Sequence, residues 1–219
     1  MQIYFVRHGK TEWNLAERFQ GGHGDSPLLP SSLADVAKLG KYLKGTKFLA
    51  IYSSPLKRAV TTAEGLKQAA RLNLPVKIDE RLREFNLGKL EGMKFTAASQ
   101  QYPQLINNFW HHPDKYNPQI VNGEDYASVA ARGLSFGRQM AQLYPQADDK
   151  VLAVSHGAAL AAIMGSLLGY PLKEIRKHGG LANTSLSVLE SSDQGHSFHK
   201  ISYNNTTFLA RKLSRTDSL

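Results

Sequence analysis

Ile3-Tyr4-Phe5-Val6-Arg7-His8-Gly9 and Val151-Leu152-Ala153-Val154-Ser155-His156-Gly157 follow one pattern: a short apolar run, one polar residue, then His-Gly. An apolar run without polar alternation reads as a strand buried on both faces, the habit of parallel sheets. Phe48–Tyr52 is a third such run and leads into Ser53-Ser54-Pro55-Leu56-Lys57-Arg58. Amphipathic stretches separate the runs. Leu33, Val36, Ala37, Gly40 and Leu43 keep helical spacing, and Ser54-Pro55 predicts a helix to about Ala70 with Ser as N-cap and Pro at the first position. Tyr126, Val129, Ala130, Gly133, Leu134, Gly137, Met140, Ala141 and Tyr144 mark a long helix after Gly123-Glu124. Ser185–Leu189 and Phe198–Tyr203 read as late strands around an Asp193-Gln194-Gly195 turn. The expected fold is α/β: a layered, parallel-dominated sheet with helices on both faces. Residues 1–219 are expected to form one domain, with 93–148 as a helical insertion or lid. Its irregular part, Phe95 to Asn122, is rich in Asn, Gln, Pro and aromatics.

Composition narrows the function. The chain has 219 residues, 42% hydrophobic and 21% charged, ordinary for a globular protein long enough to bury a core without staples. The absence of cysteine excludes disulfides, thiolate nucleophiles, iron–sulfur clusters and Cys-based zinc sites. A net charge of +9 favours anionic partners. Val151–Leu172 lacks Asp, Glu, Lys and Arg, but Ser155-His156-Gly157 splits it and Gly165, Gly169 and Pro171 interrupt it. It reads as a buried strand plus a buried helix, so no membrane association is expected. Ile3–Val6 is too short for a signal sequence, and a cytoplasmic location is expected.

In open α/β sheets ligands bind beyond the carboxyl ends of the strands. His8 and His156 occupy two such ends, and the glycines after them, Gly9 and Gly157, would let backbone approach a ligand closely. Arg58 falls at a third strand end, in the first turn of a helix, where both the guanidinium and the helix N-terminus favour phosphate. Arg7 adds a second guanidinium. Two Arg and two His converging on one point would be costly without an anion, so phosphate is the natural occupant. If an alcohol is to leave, a carboxyl must protonate it. Glu84, in Arg81-Leu82-Arg83-Glu84-Phe85-Asn86-Leu87-Gly88, is the candidate; a surface pairing with Arg81 or Arg83 is the alternative.

These residues resemble the phosphoglycerate mutase branch of the histidine phosphatase superfamily. Arg7-His8-Gly9-Lys10-Thr11 with Asn14, Arg18-Phe19-Gln20-Gly21 and Asp25-Ser26-Pro27-Leu28 are similar to its opening blocks. Ser53-Ser54-Pro55-Leu56 with Arg58-Ala59 and Thr62-Ala63, Glu84 with Gly88 and Glu91-Gly92, Gly123-Glu124, and Ser155-His156-Gly157 are similar to the later ones, in order from residue 3 to about 190. The resemblance implies that His8 is phosphorylated and then hydrolysed. It implies that Arg7, Arg58 and His156 bind the phosphoryl group, helped by Asn14 and the backbone near Gly157. Glu84 would serve as acid and then base, and Gln20 and Gly21 would line the pocket mouth. The chemistry is consistent with those roles, because phosphoryl transfer needs mainly positioning and charge stabilisation.

Some positions depart from the pattern. Lys10 stands where Glu is more usual, and Leu29 where Thr is common. Glycolytic mutases follow the second His-Gly with Asn, where this chain has Ala158, and follow the acid with Arg and Tyr, where it has Phe85-Asn86-Leu87. The expectation is therefore a phosphatase acting on small phosphomonoesters. A mutase dependent on 2,3-bisphosphoglycerate is the alternative, and only that alternative calls for a cofactor. Phe85 and the Phe95–Asn122 segment should shape the leaving-group side, and Tyr102, Trp110, His112 and Tyr116 either contact that group or form the lid's own core.

Rival readings are weaker. Gly9-Lys10-Thr11 is not a P-loop, because the required first glycine position holds Tyr4. His111-His112, His196 and His199 lack carboxylates at ligand spacing, so no metal is expected. Lys38, Lys41, Lys44 and Lys47 suggest a nucleic-acid-binding module, but no stacking platform or recognition motif accompanies them. The expected partner is a small phosphorylated metabolite. Oligomeric state is open.

Overall fold

The structure is a computed structural model that describes residues 1–218. In chain order the elements are β1 (Gln2–Arg7), α1 (Glu12–Leu15), α2 (Pro30–Tyr42), β2 (Ala50–Ser53), α3 (Lys57–Ala70), β3 (Val76–Ile78), α4 (Phe95–Gln101), α5 (Pro103–His111), α6 (Tyr126–Leu143), β4 (Lys150–Ser155), α7 (Gly157–Leu167), β5 (Leu186–Glu190) and β6 (His199–Asn205), joined by short 3₁₀ turns. The strands form a single sheet in the order β3-β2-β4-β1-β5-β6. The four strands β1–β4 run parallel, and β5 and β6 add antiparallel pairs at one side.

Strand alternation sorts the core into two layers. Ile3, Phe5, Val151 and Ala153 point into one cluster with Phe136 and Met140 of α6 and Ala159 and Ile163 of α7. Val6, Leu152 and Val154 point into the other, with Val36 and Leu39 of α2 and Ala63 and Leu66 of α3. The predicted three-layer α/β arrangement is present, and the charge-free Val151–Leu172 stretch is β4 plus α7 in the middle of it. Helix α6 lies so close to α7 that a Cβ on Gly133 would sit 2.4 Å from Ile163 Cγ1. Among the described residues no helix is long and apolar enough to cross a membrane.

Two local expectations are corrected. Helix α3 begins at Lys57, not at Ser54-Pro55, and its N-cap residue Leu56 makes no side-chain cap. The carboxylate of Asp25, far away in sequence, takes over that duty: Lys57 N donates to Oδ2 at 2.5 Å and Arg58 N to Oδ1 at 3.2 Å. In α2 the buried stripe runs through Val36, Leu39 and Gly40, while Leu33 is exposed. The segment after β3 packs as helices α4 and α5 plus 3₁₀ turns around an aromatic cluster of Phe85, Phe109, Tyr116 and Tyr126.

Candidate active site

Parallel pairing of β1 with β4 sets Arg7 opposite Ser155, so the chain leaves both strands at one level and delivers His8 and His156 side by side. Their rings lie 5.1 Å apart. β2 pairs with β4 one place further along, Ser53 opposite Val154, and the turn after it carries Arg58 into the same space. Arg7, His8, Arg58, Glu84 and His156 are all buried.

Each group is oriented by hydrogen bonds. His8 Nδ1 lies 2.7 Å from the Gly9 carbonyl oxygen, which can only accept, so the proton is assigned to Nδ1. That leaves a lone pair on Nε2, to which Arg58 Nε donates at 3.3 Å. Burial, with the charges of Arg58 and Arg7, pushes the His8 pKa well below the usual imidazole value. The ring is a neutral base with one defined lone pair. Arg58 is held on three further sides: Nη1 donates to Gly24 O at 2.7 Å and to Asp25 Oδ1 at 3.2 Å, and Nη2 to Gly21 O at 3.0 Å. Hydrogen bonds from a charged donor contribute roughly 1.5–3 kcal/mol each, enough to fix the fork in place. Arg7 Nη1 donates to the carbonyls of Leu181 and Asp217, and burial lowers its pKa to about 10. His156 Nε2 meets Ser54 Oγ at 2.7 Å, which explains why Ser54 is not a helix cap. Its Nδ1 is buried without a hydrogen bond among the described residues, and its pKa is depressed first by burial and then by Arg58.

Glu84 faces inward, not out to Arg81 or Arg83, which pair with Asp79 and Glu80. Its Oε1 accepts from Phe85 N at 2.9 Å and Ala159 N at 2.8 Å, and Oε2 from Ala158 N at 3.2 Å. The carboxyl therefore sits on the N-terminus of α7. Burial raises its pKa and outweighs the lowering by those amides and by Arg58.

Arg7, His8, Asn14, Gln20, Glu84, Gly157 and Ala158 line one cavity of about 570 Å³ of empty space, open to solvent. Asn14 Oδ1 accepts from Thr11 N at 3.1 Å, and Gln20 Oε1 from Thr11 Oγ1 at 2.7 Å. The Gln20 amide nitrogen is buried without a partner among the described residues. Four predicted positions, Gly9, Gly21, Arg58 and His156, are not among the residues that line it. A Cβ on Gly9 would fall 2.3 Å from Ser32 Oγ, so its missing side chain makes room for α2, not for a ligand. Gly21 supports Arg58 through its carbonyl. Phe85 is also corrected: it is fully buried in the aromatic cluster. Of the aromatic quartet, Trp110 lines the cavity, Tyr116 is core, Tyr102 packs against the core and His112 is exposed. Among the described residues no group of three His, Asp or Glu is placed to hold a metal ion.

The structure brings in residues that sequence reasoning did not assign. Asp25 was visible only as part of a motif. Arg18, visible in the same way, and Arg176, which carries no local signal, both line the cavity. Asp217, through Asn183 N at 2.7 Å and an ion pair with Arg211, fastens the C-terminal segment beside Arg7.

Residues 3–205 match the model of the histidine phosphatase superfamily, branch 1. The chain belongs to that superfamily. It is 34% identical over 194 residues to the probable phosphoglycerate mutase GpmB of Proteus mirabilis, covering 87% of this chain and 85% of that one. Among solved structures, Bacillus stearothermophilus YhfR superposes with a TM-score of 0.86 at 32% identity, covering 95% of this chain and 98% of that one. A mycobacterial glucosyl-3-phosphoglycerate phosphatase superposes with a TM-score of 0.81 at 27% identity, covering 93% and 98%. The resemblance read from the sequence is thus shown, as is the phosphoglycerate mutase-like fold.

Proposed function

We propose that this histidine phosphatase hydrolyses small phosphomonoesters through a phosphohistidine on His8. The observation that carries the reading is one cavity lined by two groups in complementary states. His8 offers a neutral imidazole with its Nε2 lone pair defined, and Glu84 carries a carboxyl whose pKa burial raises. In the first step Nε2 attacks phosphorus and the ester P–O bond breaks. The Glu84 proton passes to the departing alcohol oxygen. In the second step the Glu84 carboxylate takes a proton from water, the oxygen attacks phosphorus, and the N–P bond breaks. Inorganic phosphate leaves and Glu84 is protonated again. Arg7, Arg58 and the buried Nδ1 of His156 are the groups to stabilise the transferring oxygens, with Asn14 and the Gln20 amide nitrogen at the rim. These fixed cations do work that a metal ion does in other phosphoryl-transfer sites, so the reaction is proposed to need none.

The second reading is a mutase, favoured by the name given to the Proteus mirabilis relative. It requires the alcohol to stay bound while phosphate is returned to a second hydroxyl, and 2,3-bisphosphoglycerate to keep His8 phosphorylated. Ala158, on the cavity wall, offers no side-chain donor to hold such an intermediate. A screen of phosphorylated metabolites with and without 2,3-bisphosphoglycerate tests both readings. Phosphate release that is independent of the bisphosphate supports hydrolysis; isomerisation that depends on it supports the mutase.

A further inference from the structure

The cavity has two cations, Arg18 and Arg176, that the proposed chemistry does not use. Among the described residues three guanidinium groups line it, those of Arg7, Arg18 and Arg176, against the single carboxyl of Glu84. Arg18 Nη1 donates to the Gly92 carbonyl at 2.7 Å. Arg176 differs. Its guanidinium lies over the Trp110 ring at 4.6 Å and the Phe109 ring at 5.5 Å, which fixes its plane. It donates one hydrogen bond, Nη1 to Tyr126 Oη at 3.3 Å. Among the described residues no carboxylate comes within ion-pair distance of it. Phe19, Phe95, Phe109 and Trp110 form an apolar wall of the same cavity. A rigid cation with unused donors, set in an apolar wall and separate from the phosphate-facing Arg7 and Arg58, is built to receive an anion.

We propose that Arg176 is a specificity residue that receives a carboxylate carried by the alcohol portion of the substrate. The inference rests on the phosphatase reading and adds the substrate class: a phosphomonoester of a hydroxy acid. A carboxylate fits better than a second phosphate, because one planar fork, with no carboxylate partner among the described residues, matches a planar monoanion. Because Glu84 and Arg176 share the cavity, one bound alcohol can present its ester oxygen to the first and its carboxylate to the second.

The test compares kcat/KM for 3-phosphoglycerate with that for glycerol 3-phosphate, which replaces the carboxylate with a hydroxymethyl group. The wild-type chain should prefer the first. Arg176→Gln should reduce that preference about ten- to hundredfold, mainly through KM, because the contact exists in the ground state as well as the transition state. Arg176→Lys should keep part of it, since charge remains but the fork does not. An unchanged ratio in Arg176→Gln, with p-nitrophenyl phosphate still hydrolysed, would overturn the assignment alone. Should Arg176→Gln not fold, product inhibition of the wild type decides: glycerate should compete with p-nitrophenyl phosphate and glycerol should not, and equal inhibition overturns the proposal. A wild-type chain that hydrolyses none of these esters would overturn the phosphatase reading, and this assignment with it.

Discussion

Replacing Glu84 with Gln separates its chemical role from its structural one. Oε1 accepts from Phe85 N at 2.9 Å and Ala159 N at 2.8 Å, and an amide oxygen can take that place unchanged. The amide nitrogen then faces Ala158 N, which now donates at 3.2 Å, so one hydrogen bond is lost and two donors oppose each other. The lost bond costs about 1–3 kcal/mol, offset by removing a charge that burial disfavours, so a small change in stability is expected. The chemical effect is larger. General acid help is typically worth ~10²–10⁴-fold, about 3–5 kcal/mol of barrier. Glu84→Gln should slow phosphoenzyme formation from an alkyl phosphate by about that range. p-Nitrophenyl phosphate should lose much less, because p-nitrophenolate leaves without a proton. Single-turnover measurement of the phosphorylation step alone is needed, since Glu84 is also proposed to activate water in the second step. Equal losses for both leaving groups would refute the acid role. Glu91, the other carboxylate of that block, is not a ready substitute: it bonds Gly24 N at 2.5 Å and His23 N at 3.0 Å and is not among the cavity-lining residues.

Other outcomes follow from the same geometry. Asp25→Ala removes the ion pair to Arg58 and the cap on α3, so stability should fall by about 1–3 kcal/mol and turnover should fall with it. Thermal melting with and without inorganic phosphate would show it, and unchanged melting and turnover would count against the positioning role. His8 and His156 both have depressed pKa values, so the folded state binds fewer protons than the unfolded state. Their stability contribution is present above about pH 6.5 and is lost as pH falls below it toward their folded values. Melting temperatures from pH 7.5 to 5 should fall less steeply in His8→Asn than in the wild type; parallel curves would contradict that. In the phosphorylation step Glu84 must be protonated, so its rate should decline as pH rises through the raised Glu84 pKa, and Glu84→Gln should flatten that limb. Activity should survive EDTA, and with 3-phosphoglycerate plus 2,3-bisphosphoglycerate inorganic phosphate should appear faster than 2-phosphoglycerate. EDTA loss rescued by a divalent ion would favour a metal hydrolase; the reverse product ratio would favour the mutase.

The sheet was legible because buried parallel strands are continuous apolar runs, and His-Gly at two of their ends marked the site before any geometry was known. What local sequence hides is contact across distance. Ser54-Pro55 has the chemistry of a helix start, yet Ser54 is drawn to His156 and Asp25 caps the helix from another loop. Strand β3, three residues long at the sheet's edge with Lys77 and Ile78 exposed, has too little apolar content to stand out. Phe85 adjoins Glu84 and so was expected in the pocket. The backbone instead turns its ring into the core, where Phe109 and Tyr126 meet it at 5.8 and 4.8 Å. Arg176 lies in Lys173-Glu174-Ile175-Arg176-Lys177, where nothing distinguishes one cation from its neighbours. Only the packing of α5 selects it, by placing Trp110 beneath its guanidinium.

The proposed chemistry turns on a covalent bond between phosphorus and His8. Brief incubation with a phosphate-labelled substrate, followed by a rapid alkaline quench and peptide mapping, tests it directly. The expected result is an alkali-stable, acid-labile label on the peptide containing His8, formed no slower than turnover and absent together with activity in His8→Ala. A label on another residue, or a fully active His8→Ala chain, would contradict it.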